Sequence, residues 1–200
     1  MNRKKFNILF AEINRPGKYE LYKYMEDNGF FTAPASSAGS KHGAAEGGLL
    51  QHSLSVTELL LKIRDTLAPG ISRESCILVG LTHDLGKAAY YSNDLYVPNM
   101  IQGKKKGEGL VRSSAKPYEH NKERIEISHE LASLHIVGKF VPLLEEEVQA
   151  ILFHNGQYVP SGRDVKNNEN PLTLLLHWAD YWAAFVVEQG IEPRSSEGMF

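Results

Sequence analysis

Histidines and aspartates recur along this chain where helical periodicity turns them inward. They are His52, the adjacent pair His83 and Asp84, His129, His154, and Asp180 with His177 one turn ahead of it. Burying that many imidazoles and carboxylates without partners is costly. A divalent cation removes the cost, because neutral imidazole and ionised carboxylate are its natural ligands. Helices are rigid frames, so donors carried on separate helices can meet at one point.

The elements that must position these residues have readable boundaries. In LLQHSLSVTELLLKIRDTL, residues His52, Val56, Leu59, Leu60, Ile63 and Leu67 share one helical face, and Pro69-Gly70 ends the helix. Ser72 is a good N-cap for the next helix, with Ile71 and Cys76 spaced as a hydrophobic staple. The inner face of that helix is Cys76, Val79, Gly80 and His83, and Gly80 admits a close neighbouring backbone. Further helices are expected over 128–140 and 143–155, the latter closed by Gly156. A last helix starts from Asn170 as N-cap with Pro171 at its first position, and runs to about Gln189 before Gly190.

The remaining segments differ in character. Short helices are expected over 3–13 and 17–27, then an irregular loop of small and polar residues over 32–48. Between Tyr90 and Lys122, extended stretches flank the basic turn Gly103-Lys-Lys-Lys-Gly-Glu-Gly109, which predicts a β-hairpin insertion. The fold class is therefore all-α, a compact bundle of about six or seven helices with a small β-hairpin insertion. Residues 1–200 read as one domain: 1–47 a helical lead-in and loop, 48–189 the helical core with the metal-type residues, and 190–200 a loose tail.

Composition narrows the function classes. A formal charge of −2 gives no global basic face for avid, unspecific nucleic-acid binding, although a nucleotide-sized anion is still accommodated beside a metal. The single cysteine, Cys76, excludes an internal disulfide and a thiolate zinc site. The opening MNRKKFNILFAEINRPGKYE has only a short apolar run, broken by Glu12, and reads as neither signal peptide nor membrane span. No membrane partner and a cytoplasmic location are the expectations.

The segments GLLQHSLSV, LVGLTHDLGKA, SHELASL, AILFHNG and LLLHWADYWAA together resemble the HD superfamily of metal-dependent phosphohydrolases. APAS and KHGAAEGGLLQHS are similar to the approach to the first histidine in exoribonuclease-like HD proteins, and similar wording occurs in HD proteins of phages and mobile elements. The resemblance spans residues 31–187 in the order H…HD…H…H…D. It implies an HD-domain helical bundle that cleaves a phosphomonoester or phosphodiester of a nucleotide or short nucleic acid by metal-activated water. It also implies that His52, His83, Asp84 and Asp180 hold a first ion, and that Asp84 bridges to a second completed by His129 and His154. One ion or two, of manganese, iron, nickel or magnesium, are the expected cofactors; histidine-rich ligation disfavours magnesium alone at the first position. Asp84 and Lys87 are the expected catalytic residues, with Lys87, His129 and His154 contacting substrate phosphate. The chain has no room for the extra nucleic-acid-binding barrel of the exoribonuclease-like proteins, and it lacks the histidine-glycine-tyrosine-proline signature of cyclic dinucleotide phosphodiesterases.

Other residues have balanced readings. His177 supports the site or simply packs; His42 faces the pocket or solvent; His120 and His135 are structural. Tyr90, Tyr91 and Tyr96 stack on a base or serve packing. Lys104-Lys105-Lys106 is a solvated hairpin tip rather than a phosphate clamp, and Glu145-Glu146-Glu147 complements a helix dipole. Two rival functions remain open: a di-iron oxygenase on the same ligand set, and a non-catalytic module that binds nucleotide or nucleic acid.

Overall fold

A computed structural model describes residues 1–38, 43–105 and 107–191. His42, Lys106 and most of the expected tail lie outside the described residues. The elements run α1 (Asn2–Ala11), α2 (Lys18–Asp27), α3 (Gly48–Leu67), α4 (Arg73–Thr82), β1 (Tyr96–Pro98), β2 (Met100–Gln102), β3 (Leu110–Arg112), β4 (Tyr118–His120), α5 (His129–Phe140), α6 (Glu145–Phe153) and α7 (Pro171–Trp182). Short 3₁₀ turns cover Leu85–Lys87, Gly156–Tyr158 and Pro160–Val165, and a π-helical turn covers Ala183–Val187. Among the described residues no helix is long and apolar enough to cross a membrane.

α3 forms the spine of the bundle, with α1, α4 and α7 packed against it. Besides His52, its buried residues include Val56, Leu60 and Leu61, and these three join Leu78, Leu81, Ile151, Leu172 and Leu176 in one core. The Ser72 hydroxyl accepts from Ser75 N–H to cap α4, and the Ser128 hydroxyl caps α5 through Leu131 N–H. Asn170 caps α7 through Leu172 N–H, with Pro171 at the first helical position as its missing donor allows. Gly80 sits where α4 crosses α3: a Cβ there would lie 2.6 Å from Thr57 Oγ1 and 3.0 Å from Thr57 Cα.

The fold departs from the sequence reading in three places. The insertion is a nested pair of two-stranded antiparallel ladders, β1 with β4 and β2 with β3, rather than one short hairpin. Strand β4 was hidden because Pro117 and its charged neighbours give no alternating apolar pattern. The last α-helix stops at Trp182, where the backbone widens so that Glu188 N–H bonds Ala183 O, and Gly190 (φ 62°) follows that turn. A π-turn inside an apolar helical run has no compositional mark.

The third departure is Glu147, which is more than a complement to a helix dipole. Its carboxylate is fully buried and takes two hydrogen bonds from the Arg15 guanidinium, both at 2.6 Å, while accepting Leu144 N–H at 2.8 Å. Arg15 also donates to Pro142 O at 3.0 Å, so the segment between α1 and α2 is clamped onto the start of α6. Burial raises the Glu147 carboxyl, but the Arg15 guanidinium together with Ser75 and the Leu144 N–H outweighs it and holds the group below its ordinary value. A carboxylate lowered on folding stabilises fully above the unfolded value and loses that contribution as pH falls through the folded one. Glu147→Ala, which leaves Arg15 only the more distant Glu74 carboxylate at 3.7 Å, is expected to destabilise the protein by about 3 kcal/mol near neutral pH. Glu147→Gln should also flatten the loss of stability that the parent shows below its model-compound value of 4.5. Urea midpoints measured across pH check both, and unchanged midpoints would remove the clamp from the account.

Candidate metal centre

Helix ends, more than helix middles, deliver the ionisable groups. His52 lies one turn into α3. His83 is the residue that closes α4, and Asp84 follows it at the entry to the Leu85–Lys87 turn. His129 opens α5, His154 closes α6, and Asp180 lies in the last turn of α7. The turn after Asp84 is pressed onto the start of α5. Gly86 N–H donates to Ser133 Oγ at 2.8 Å, and Gly86 O accepts from Arg124 at 2.9 Å. A Cβ on Gly86 would stand 2.2 Å from His129 O, so only glycine lets Asp84 and His129 approach this closely.

Asp84 is 1% exposed and divides its two oxygens between two groups of histidines. Its Oδ2 lies 3.3 Å from His52 Nε2, 3.6 Å from His83 Nε2 and 2.6 Å from Lys87 Nζ. Its Oδ1 lies 3.3 Å from His129 Nε2 and 3.5 Å from His154 Nε2. Asp180 Oδ1 closes the other side, 3.0 Å from His52 Nε2 and 3.9 Å from His83 Nε2. All six residues named from the sequence therefore come together, in overlapping triads: His52–His83–Asp84, His83–His154–Asp180 and Asp84–His129–His154.

The outer nitrogens show which way the rings are wired. His83 Nδ1 is 3.0 Å from Gly80 O and His154 Nδ1 is 2.8 Å from Ile151 O. A carbonyl only accepts, so each Nδ1 carries the hydrogen and each neutral ring turns an Nε2 lone pair toward the carboxylates. His52 Nδ1 likewise meets a carboxylate, Glu188 Oε1, at 2.6 Å. Lone pairs facing carboxylates repel unless a positive charge lies between them. His52 Nε2, His83 Nε2 and Asp84 Oδ1 are buried without a hydrogen-bond partner. Orphaned nitrogen and oxygen donors converging on one point are the donor set of a divalent cation, and the residues fit one.

Protonation tells the same story from another side. Burial pushes His83 down to about 3 and also lowers His129, beside the Lys87 ammonium. Burial acts against charge on His52 too, but the Asp180, Asp84 and Glu188 carboxylates beside it raise it well above the imidazole range; burial also opposes charge on His154, and Asp84 raises it above its ordinary value. Asp84 and Asp180 are held ionised despite burial, above all by the Lys87 ammonium for the first and by His52 for the second. A proton on His52 would thus occupy the role a cation takes, and metal uptake would release it.

Several functional neighbours were not named from the sequence. Glu188 reaches His52 from the π-turn. Asn155 Nδ2 donates to Glu130 Oε1 at 2.5 Å and stands 3.3 Å from both His129 Nε2 and His154 Nε2, while Glu130 Oε2 is 3.4 Å from His129 Nδ1. An Asn-Gly pair after His154 was visible, but its contact with α5 depends on tertiary packing. His177 resolves as a support: its Nδ1 hydrogen-bonds His154 O at 2.7 Å, and its ring covers Gly156, where a Cβ would lie 2.7 Å from the ring. Tyr96 lines the cavity above the cluster, whereas Tyr90 and Tyr91 pack around His135 in a separate depression. Tyr90 hydroxyl lies 2.7 Å from His135 Nδ1, and His120 packs its ring on Tyr96. Lys104 and Lys105 are exposed at the hairpin tip and do not line the cavity.

The helix ends of this bundle thus gather four histidines and two aspartates into a centre fit for a divalent metal. The HD domain family matches residues 49–184, more than half of the chain, and the chain belongs to that family. HD domains are in general metal-dependent phosphohydrolases. Searches of curated proteins and of solved structures returned no match.

Glu188 supplies a test of the wiring. A carboxylate on the outer nitrogen of a ligating histidine fixes its tautomer and raises its basicity, and losing it typically weakens metal binding by about 10- to 100-fold. Glu188→Ala is expected to lower Mn²⁺ affinity within that range in equilibrium dialysis, with unfolding temperature little changed. An unaltered affinity would mean that the Glu188 contact does not orient His52 for a metal.

Proposed function

We propose that this protein hydrolyses a phosphomonoester or phosphodiester of a nucleotide or short nucleic acid, with one or two divalent ions held by the histidine–aspartate cluster. The observation that carries the reading is the division of Asp84: one oxygen faces His52 and His83, the other faces His129 and His154. A carboxylate placed so would serve two adjacent positions, His52, His83, Asp84 and Asp180 at the first and Asp84, His129 and His154 at the second. Imidazole-rich donors favour manganese, iron or nickel over magnesium alone at the first position. Divalent ions there would acidify a bound water and neutralise phosphoryl oxygens.

The protein's own groups do the rest. Burial pulls the Lys87 ammonium down, but the Asp84 carboxylate outweighs it and keeps the side chain charged above its ordinary range. Its Nζ borders the cavity, so a substrate phosphate oxygen can take its hydrogen bond as negative charge builds during displacement at phosphorus. With a single ion at the first position, His129, at the cavity wall, and His154 beside it would instead turn their Nε2 atoms to that phosphate. Asn155 and Glu130 hold His129 in place through the contacts given above, and the buried sides of α3 and α4 keep water from the rear of the cluster.

Two substitutions separate the roles. Asp84→Ala is expected to lose bound metal, read by elemental analysis, together with all turnover. Lys87→Ala should keep the parent's metal content and lose about 10- to 100-fold in kcat. Release of phosphate or nucleotide from a panel of nucleotides and short RNA and DNA oligomers, in anaerobic buffer with Mn²⁺, is the assay. No hydrolysis of any phosphoester by the metal-loaded protein would overturn the proposal, and a Lys87 variant with full rate would remove that residue from the mechanism.

A further inference from the structure

The cavity over the cluster has chemically unequal walls. Its floor holds His52, His129, Asp180 and Lys87, whereas one side is built from Tyr158, His177, Tyr181 and Phe185. His177, Tyr181 and Phe185 recur every four residues, so α7 and its π-turn present them along one face, with Asp180 beside Tyr181 on the same helix. Tyr158 comes across from the 3₁₀ turn after α6. Tyr158 and Tyr181 are stacked, 5.3 Å apart at 14°, and the neighbouring rings tilt against them: Tyr181 and Phe185 are 4.5 Å apart at 30°, Tyr158 and His177 5.9 Å apart at 33°, and His177 and Tyr181 6.2 Å apart at 42°.

These rings are not spent on the core. Tyr158 is 71% exposed, Tyr181 41% and Phe185 48%, although each borders a cavity beside a buried charge cluster. Contiguous exposed aromatic surface marks a binding region, and clustered aromatic faces with a stacked pair among them suit a flat ring better than an aliphatic chain. The cavity volume of 380 Å³ lies near the lower end of the range for small-molecule sites, roughly 300–1,000 Å³, which suits one nucleotide unit. Ser36, Asn155 and Gln189 at the rim add polar groups that a heterocycle's edges can meet.

We infer that the Tyr158–Tyr181–Phe185 wall is a stacking subsite for the planar base of a nucleotide whose phosphate lies at the His52–Asp84–Asp180 cluster. The inference rests on the phosphohydrolase reading for the position of the phosphate, and adds what the remainder of the substrate must be. Phosphoesters with a heterocyclic base are preferred over those that end at the sugar. Stacking is tolerant of base identity because every base has a π face, so preference among the four bases is small beside the preference for having one.

The test compares adenosine 5′-monophosphate with ribose 5-phosphate, which differ only by the base. Calorimetric titration of metal-stripped protein reads binding without turnover, and KM in the presence of Mn²⁺ reads it during turnover. In both, the parent should favour the nucleotide by about tenfold or more, as expected for one base stacked on an aromatic side chain. Tyr158→Leu and Tyr181→Leu should collapse that ratio toward one, while Tyr181→Phe, which keeps the ring, preserves it. Equal affinity for the two ligands in the parent, or a ratio untouched by both leucine variants, overturns the subsite. Equal affinity is also the result expected if the aromatic wall is instead a contact surface for another protein chain. Hydrolysis of both compounds with no base preference would sink the subsite and leave the hydrolase reading standing. Selective binding of the nucleotide with no hydrolysis of either would do the reverse.

Discussion

A carboxylate buried at the meeting point of five helix ends is the constraint on which this structure turns. Asp84 is held ionised in a setting where desolvation strongly favours its neutral form, and it stays so because Lys87 and the surrounding imidazoles supply positive charge. The arrangement is tolerable only if every neighbour is fixed. The backbone carbonyls of Gly80 and Ile151 orient His83 and His154, Glu188 orients His52, and the glycine at position 86 lets the start of α5 bring His129 into range. The core is thus organised to keep a polar centre rigid, and its apolar packing serves as the frame around that centre.

The ends of helices suit this task better than their middles. A helix that stops at a histidine leaves the following residues free to turn sharply, as Asp84 and its 3₁₀ turn do, without breaking an interior ladder of hydrogen bonds. The π-turn after α7 has a related effect. By widening the last turn it carries Glu188 back over α3 and leaves Tyr181 and Phe185 facing the cavity, so one irregular segment serves both the cluster and the aromatic wall.

The helical bundle and all six clustered residues were legible in the chain, because caps, apolar periodicity and the ordered H…HD…H…H…D elements are local signals. Ser72 and Asn170 cap the helices that their positions foretell. What was not legible depends on partners far away in sequence. Glu188 lies 136 positions from His52, and Arg15 lies 132 from Glu147; nothing local distinguishes either carboxylate from a solvated one. The second ladder of the insertion and the π-turn were missed for a different reason. Short strands held by a few hydrogen bonds, and a single inserted residue in a helix, leave the composition unchanged. Aromatic residues were readable as a class, but only coordinates show that Tyr96, Tyr158 and Tyr181 line the cavity while Tyr90 and Tyr91 sit elsewhere.

The most direct trial of the central claim is an anomalous difference map from crystals grown with Mn²⁺. The account predicts density at the centre of the cluster, within coordination reach of Asp84, with a first peak toward His52, His83 and Asp180 and any second toward His129 and His154. Crystals that bind manganese only at surface carboxylates, with no peak among these side chains, would contradict it.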